Sequence, residues 1–573
     1  MNVNTAQRAS AAGNLRPIDA DPITTEVIRH SLGSAAEQMK RALIRTAFSP
    51  IIYDVLDFAG AIYDRRFRLL AQAPTLPLFM GTLSFCVEAA VEGCGGEKEL
   101  EMGDVLLYNW PYGTGSHAQD AAIIMPIFVA GELLGYSAIK AHWLDIGGKE
   151  AYSTNTTDVY QEGTFFPSVK LFASGEPVRD VLRIVAANSR VPRAVLGDIN
   201  AQIVGVRTGA DAVSRLVERY GQPVFWAAVE RMFDHGEATV RSYLREIPDG
   251  RYEARGWMDD DGITSEPIPF DVVVTVAGSD VTVDYTAAPD AQQGPINCPI
   301  ASTVSGTRIA LAALAGGQEP PNEGHFRALR VETRPGSLFD PQPPSPCFLY
   351  AWPIVQAIEV IYRALSVAIP ERVPAASGGD VVAFSWWGRR RETGEMWVDG
   401  APHPVGQGAH ARGDGASSLI HISEAATRFA PAEVWEARNP MLVEKLELCQ
   451  DSCGPGKYRG GLGLELWFRA LDDCHVTASI ERTKTRPWGL AGGGEAASNE
   501  CVLERTDGSS VQMAKITALH VPQDAVVQLR TGGGGGYGPA EERLPEAVLN
   551  DVREGYISES HARAHYPHAY SSD

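Results

Sequence analysis

The chain lacks the marks of several protein classes. It has no apolar run of about 18 residues or more, so no transmembrane helix is expected. Cations are in deficit: 50 Lys and Arg stand against 71 Asp and Glu, a net charge of -21. A field of that sign repels phosphate backbones and anionic lipid surfaces, so neither nucleic acid nor membrane is an expected partner. The opening MNVNTAQRASAAGNLRP has no apolar core of secretory type. It reads as a flexible polar arm over residues 1–20, and the cytoplasm is the expected compartment. Cysteine is sparse and unpatterned, eight in 573 residues with no C-x-x-C. The C-x3-C pair Cys449 and Cys453 has no second half, so buried reduced thiols are expected rather than a zinc ribbon. There is no fixed-period repeat, no G-x-S-x-G, no Ser-His-Asp order and no ATP-binding motif. TGGGGGYGP (531–539) lacks the Lys-Ser/Thr of a phosphate-cradling loop and reads as a glycine turn.

What is present fits a folded protein, with 44% hydrophobic and 21% charged residues. The pattern predicts a mixed α+β fold, with a helix-richer N-terminal region and a β-rich C-terminal half. Val27, Ile28, Leu32, Ala35, Met39, Leu43 and Ile44 recur at helical spacing, predicting a helix within 22–49. DFAGAIYDRRFRLLAQ (57–72) predicts a hairpin, and a second helix follows at 80–92. DVLLYNW (104–110) and 121–143 read as strands, the latter a hairpin turning at Gly131. Residues 177–245 read as mostly helical, with Gly221 closing one helix. Short alternating strands begin at 249, and helical stretches are expected at 299–315 and 353–368. Residues 380–540 are Gly-rich with short strands, and the tail has some helix potential. The expected regions are 21–248, bearing the site, then 249–379 of mixed α+β, then 380–573.

Two His-x-x-Asp units carry the chemistry. HAQD supplies His117 and Asp120, and HWLD supplies His142 and Asp145. Each unit lies near a strand end, and glycines in GTGSH and DIGGKE permit close backbone approach to a ligand. Two imidazoles and a carboxylate suit Zn²⁺, Mn²⁺ or Fe²⁺ and leave coordination positions open. Polar capping of strand ends accounts for the same spacing. Lys457 and Arg459 in GPGKYRGGLGLE, and the cations of ERTKTRPWGLAGG, read either as anion contacts or as solvated charges. ARGD (411–414) and the sequon NTT (155–157) are chance matches in this context.

Many stretches, in order, resemble one family. They include DFAGAIYD (57–64), LLAQAPTLPLFMGTL (69–83), NWPYGTGSHAQD (109–120), AHWLDIGG (141–148), YQEGTFFPSVKL (160–171), QGPINCP (293–299), PNEGHFR (321–327), DSCGPGKYRGGLG (451–463) and RPWGLAGG (486–493). Over about residues 21–565 the chain resembles B-type subunits of the hydantoinase/5-oxoprolinase family. That family includes N-methylhydantoinase B, caprolactamase small subunits and related subunits of acetone and acetophenone carboxylases. The resemblance implies a metal held by His117, Asp120 and His142. Asp145 is then a candidate to orient His142, and Asp57 a candidate ligand or base. It also implies an A-type partner that binds ATP and phosphorylates the substrate oxygen, in a hetero-oligomer. Where the family reads N-D-P-Y this chain reads NWPY, with Trp110. Phe79, Phe165, Phe166 and FSWWGRR (384–390) are further aromatic departures, which point toward an apolar or aromatic substrate if they line the site.

The resulting expectation is a B-type subunit for ATP-dependent hydrolysis of a cyclic amide: a hydantoin, an oxoproline or a lactam. The alternatives are a component of an ATP-dependent ketone carboxylase and a non-catalytic scaffold.

Overall fold

The computed structural model describes residues 20–315 and 320–570. The expected arm lies outside the described residues except for Ala20. The first helix, Pro22–Thr46, starts where expected: the Asp21 carboxylate accepts from the N–H groups of Ile23 and Thr24 and Pro22 occupies the first turn. The hairpin over 57–72 forms as β1 (Phe58–Asp64) and β2 (Leu69–Gln72). Its polar turn is held by the Asp64 carboxylate, which accepts from the backbone N–H groups of Arg66 and Arg68, both at 2.8 Å. β3 (Val105–Tyr108), β4 (Asp120–Val129), β5 (Glu132–His142), β6 (Pro167–Ala173) and β7 (Glu176–Pro177) complete one sheet. The order is β2-β1-β5-β4-β3-β6-β7, and every neighbouring pair is antiparallel.

Both faces of this sheet are buried, and side-chain alternation sorts its residues between two cores. Phe58, Ile62, Ile123, Ile127 and Ile139 face one core. It includes Ile28, Leu32 and Met39 of the first helix and Val195, Ile199 and Val206 of the helix Pro192–Tyr220. Ala59, Ala61, Tyr63, Ala122, Ile124, Tyr136 and Ala138 face the other, with Phe79, Leu83 and Val87 of the helix Pro77–Gly93. Behind that helix pack Ile300–Ala315 and Ala351–Leu365, then a four-stranded sheet begun by Gly250–Met258. Gly221, at φ 77°, separates Pro192–Tyr220 from Gln222–Leu244.

The C-terminal half contains a four-stranded and a five-stranded sheet, and its tail forms two short helices, Pro545–Arg553 and Glu559–His565. The glycine run 532–536 threads between two other backbone segments. Gly534 donates to Gly461 O at 2.9 Å, and Gly454 donates to Gly534 O at 2.8 Å. A Cβ on Gly534 would stand 1.8 Å from Gln407 O, so only glycine fits there. Three basic residues of the glycine-rich stretches are paired internally: Lys457 with Glu542 at 3.1 Å, Arg459 with Asp551 at 3.2 Å, and Lys484 with Asp260 at 2.9 Å. Asp414 of the ARGD stretch takes Arg543 at 2.7 Å.

Candidate metal centre

The site arises from the pleat. Asp120 and His142 are cross-strand partners at the start of β4 and the end of β5. Their parity matches Ala122, Ile124, Tyr136 and Ala138, so both side chains leave the same sheet face. Asp57 precedes β1, and its carbonyl accepts from His142 N at 3.1 Å. It shares parity with Ala59 and Ala61. Three neighbouring strands thus end together and aim Asp57, His142 and Asp120 at one space. His117 enters from the turn before β4, where Asp120 N donates to His117 O at 3.1 Å.

The donor atoms are close. His142 Nδ1 lies 2.9 Å from Asp120 Oδ1, His117 Nε2 lies 3.2 Å from the same oxygen, and the two ring nitrogens are 3.1 Å apart. His117 Nδ1 is 2.9 Å from the Phe348 carbonyl oxygen, which only accepts, so Nδ1 carries the proton. Nε2 then faces a carboxylate oxygen and a second imidazole, and such spacing suits neighbouring ligands bound to one cation at about 2.0–2.2 Å. Tyr350 OH donates to the other oxygen, Asp120 Oδ2, at 3.1 Å. Among the described residues, His117, Asp120 and His142 form the one group of three His, Cys, Asp or Glu side chains placed to hold a metal ion.

Charge at the site is set by burial and neighbours. Burial alone would raise the Asp120 carboxyl, but the two imidazoles outweigh it and hold it well below the usual carboxylate range. Asp57 is pushed up to about 7, first by burial and then by Asp120, against the pull of His142 and Lys140. Its Oδ1 is buried with no hydrogen-bond partner, an orphaned acceptor that a bound cation or water would satisfy. Lys140 is wholly buried on the same face. It donates to Thr82 Oγ1 at 2.7 Å, and to Thr114 O and Ser116 Oγ at 3.1 Å each, bracing the loop that carries His117. Burial lowers its pKa, while Asp120 and Asp57 favour its charged form.

The structure does not bring Asp145 to this group. Its carboxylate accepts from the Arg190 backbone N–H, from Arg190 Nη1 at 2.6 Å and from Gly147 N at 3.3 Å, tying down the loop after β5. It stands outside the set of residues that line the cavity.

That cavity has a volume of about 70 Å³ and opens to solvent. Asp57, His117, Asp120 and His142 share it with Phe79, Tyr152, Tyr350, Trp352, Phe384 and Glu424. Of the aromatic departures, Phe79 and Phe384 reach it. Trp110 packs instead against Tyr112, Tyr160 and Phe165, at centroid distances of 5.4, 6.0 and 4.8 Å. Tyr152, Tyr350 and Glu424 were not foreseen from spacing. Tyr350 sits two residues after Phe348, 230 positions from Asp120, and no local motif joins them.

Likeness to known proteins extends over nearly the whole chain. Residues 21–540 match the family described as Hydantoinase B/oxoprolinase. A Pseudomonas sp. protein, provisionally named as the B component of a D-/L-hydantoinase, is 31% identical over 567 residues, covering 95% of each chain. The caprolactamase beta chain from Pseudomonas jessenii is 30% identical over 563 residues, covering 95% of this chain and 96% of that one. The crystal structure of the ATP-dependent caprolactamase from Pseudomonas jessenii superposes with a TM-score of 0.89 at 28% identity, covering 96% and 97% of the two chains. A nucleotide-free acetone carboxylase superposes with a TM-score of 0.87 at 20% identity, covering 95% of this chain and 79% of that one, a likeness of fold.

Proposed function

The chain belongs to the hydantoinase B/oxoprolinase family, and from that premise we propose that it is the B-type subunit of an ATP-dependent cyclic-amide hydrolase. The observation that carries this reading is the meeting of His117 Nε2, Asp120 Oδ1 and His142 Nδ1 in a cavity that also receives an orphaned Asp57 oxygen. His117, Asp120 and His142 would hold a divalent cation, Zn²⁺ or Mn²⁺ by donor chemistry, with Fe²⁺ also compatible. Such a cation supplies Lewis acidity and lowers the pKa of water in its open positions.

Amide resonance makes the ring carbonyl a poor electrophile. An A-type partner that binds ATP and phosphorylates the amide oxygen removes that resonance. In this chain, Asp57 Oδ1 takes a proton from the water that adds to the carbonyl carbon and returns it to the ring nitrogen as the C–N bond breaks. The acyl phosphate left behind is hydrolysed by a second water to the carboxylate and inorganic phosphate. A carboxyl near 7 suits both proton transfers. Tyr350 holds Asp120 through Oδ2, leaving Oδ1 facing the imidazoles. Lys140 keeps the His117 loop in place. Asp145 acts at one remove, fixing the loop after His142 through Arg190. The eight free thiols, seven of them buried, suit a reducing cytoplasm. Among the described residues no helix is long and apolar enough to cross a membrane.

The aromatic and apolar lining by Phe79, Tyr152, Trp352 and Phe384 supports a second reading, carboxylation of a ketone. The purified complex with its ATP-binding partner separates the two. Ring opening that needs ATP but not bicarbonate is the expected result; bicarbonate-dependent consumption of a ketone refutes it. His117→Ala and His142→Ala are expected to lose the metal by elemental analysis and to lower turnover by at least about 100-fold, since removing even an outer partner of a metal ligand typically costs about 10- to 100-fold. Undiminished turnover in both variants leaves only a scaffold role.

A further inference from the structure

Glu424 lies in HISEAAT, a stretch without any catalytic motif. It ends the short turn Ile422–Glu424, whose preceding residue, His421, accepts from Ser423 N through Nδ1. The turn packs on the helices Pro77–Gly93 and Ile300–Ala315, and this seats the Glu424 side chain in the cavity that holds Asp57, His117, Asp120 and His142. Asp399, on the same cavity wall, is satisfied by Asn439 Nδ2 at 2.9 Å. Among the described residues, the Glu424 carboxyl meets no cation and no hydrogen-bond donor. The charged groups that bear on it are all carboxylates, Asp57, Asp120 and Asp380. Phe79, Trp352, Val381 and Phe384 line the same cavity. The residue is half-buried, so its unpartnered oxygens are open to the cavity space, where a ligand's donor can meet them. Either protonation state of the group leaves one oxygen free to accept.

We propose that Glu424 is a specificity-determining residue that accepts a hydrogen bond from the ring N–H of the cyclic amide. The assignment rests on the hydrolase reading above and deepens it, because a ketone offers no such donor. Hydrogen-bonding sites of this kind discriminate strongly: an analogue without the donor leaves the acceptor unpaired. Turning the nitrogen toward Glu424 also fixes the orientation of the adjoining carbonyl carbon in the cavity.

The test uses the complex of the full chain with its ATP-binding partner and two substrates, a lactam and its N-methyl counterpart. Wild type is expected to favour the N–H form. Glu424→Leu is expected to lower kcat/KM for the N–H lactam by about 5- to 100-fold, the cost of leaving its N–H without an acceptor. The N-methyl lactam should be unaffected, so the preference collapses, with metal content unchanged. Glu424→Gln keeps a carbonyl acceptor and should retain most of the preference; it also serves if the Leu variant fails to fold. Equal loss on both substrates, or an unchanged ratio in the Leu variant, overturns the assignment while leaving the hydrolase reading intact. A wild-type complex that opens neither lactam nor hydantoin with ATP overturns the hydrolase reading, and the role of Glu424 with it.

Discussion

His403 shows how a single buried residue ties stability to pH. Its ring packs against Phe384, Phe429 and Phe468, Nδ1 meets Val382 O at 2.7 Å, and Nε2 is buried without a partner. Burial pushes it down to about 4, against the opposing hydrogen bond. Between about 6.5 and that value, the unfolded chain takes a proton that the folded chain refuses. The stabilisation is therefore whole above about 6.5 and is lost as pH falls toward 4, about 3 kcal/mol in all. His403→Phe is expected to shrink the drop in urea midpoint between about pH 7 and pH 5; an unchanged drop contradicts it. At this scale the candidate site was partly legible. Spacing singles out His117, Asp120 and His142 near strand ends without choosing between a metal and polar capping; the family resemblance is what implies the metal set and Asp57. Glu424 and Tyr350 reach the cavity only through long-range packing, which local spacing does not encode. Asp145 looked equivalent to Asp120 by motif, but Arg190, 45 residues on, captures it.

Elements followed the hydrophobic period closely where that period was strong. The first helix, the hairpins over 57–72 and 121–143, and the helices of 177–245 form within a few residues of their expected bounds. The glycine run, expected as a turn, is an irregular segment threaded among others. Pattern misses this because what it encodes is the absence of side chains, not a period. Gly534→Ala places a methyl carbon against Gln407 O and Gly408 N, neither of which can yield. The variant is expected to be insoluble, or to melt well below the parent, since clashes with fixed backbone belong to the severe end of point mutations. A melting point within a few degrees of the parent contradicts that packing.

For the whole molecule, the decisive feature is that one of its two large cores joins the N-terminal region to the C-terminal half. One apolar cluster runs from Ile28 and Leu43 through Ile139 and Ile199 to Trp386, Phe468 and Leu529. A buried ion pair, Arg482 with Glu359, fastens the helix Ala351–Leu365 to the C-terminal half, with Gln356 accepting from Arg482 Nε at 2.9 Å. Calorimetry of the isolated chain is expected to show one cooperative endotherm; two well-separated peaks contradict a continuous core. Mixed α+β class was legible in the chain, whereas this continuity was not, since it joins residues several hundred positions apart. The antiparallel pairing of Asp120 with His142 carries a constraint on strand length. Like two tumblers cut on opposite arms of one key, they stay aligned only while the arms run in step from the site to the bulge at Ile127 and Phe128. A lone insertion within that stretch would turn its tumbler to the far side, whereas at the bulge one arm already carries an unmatched residue.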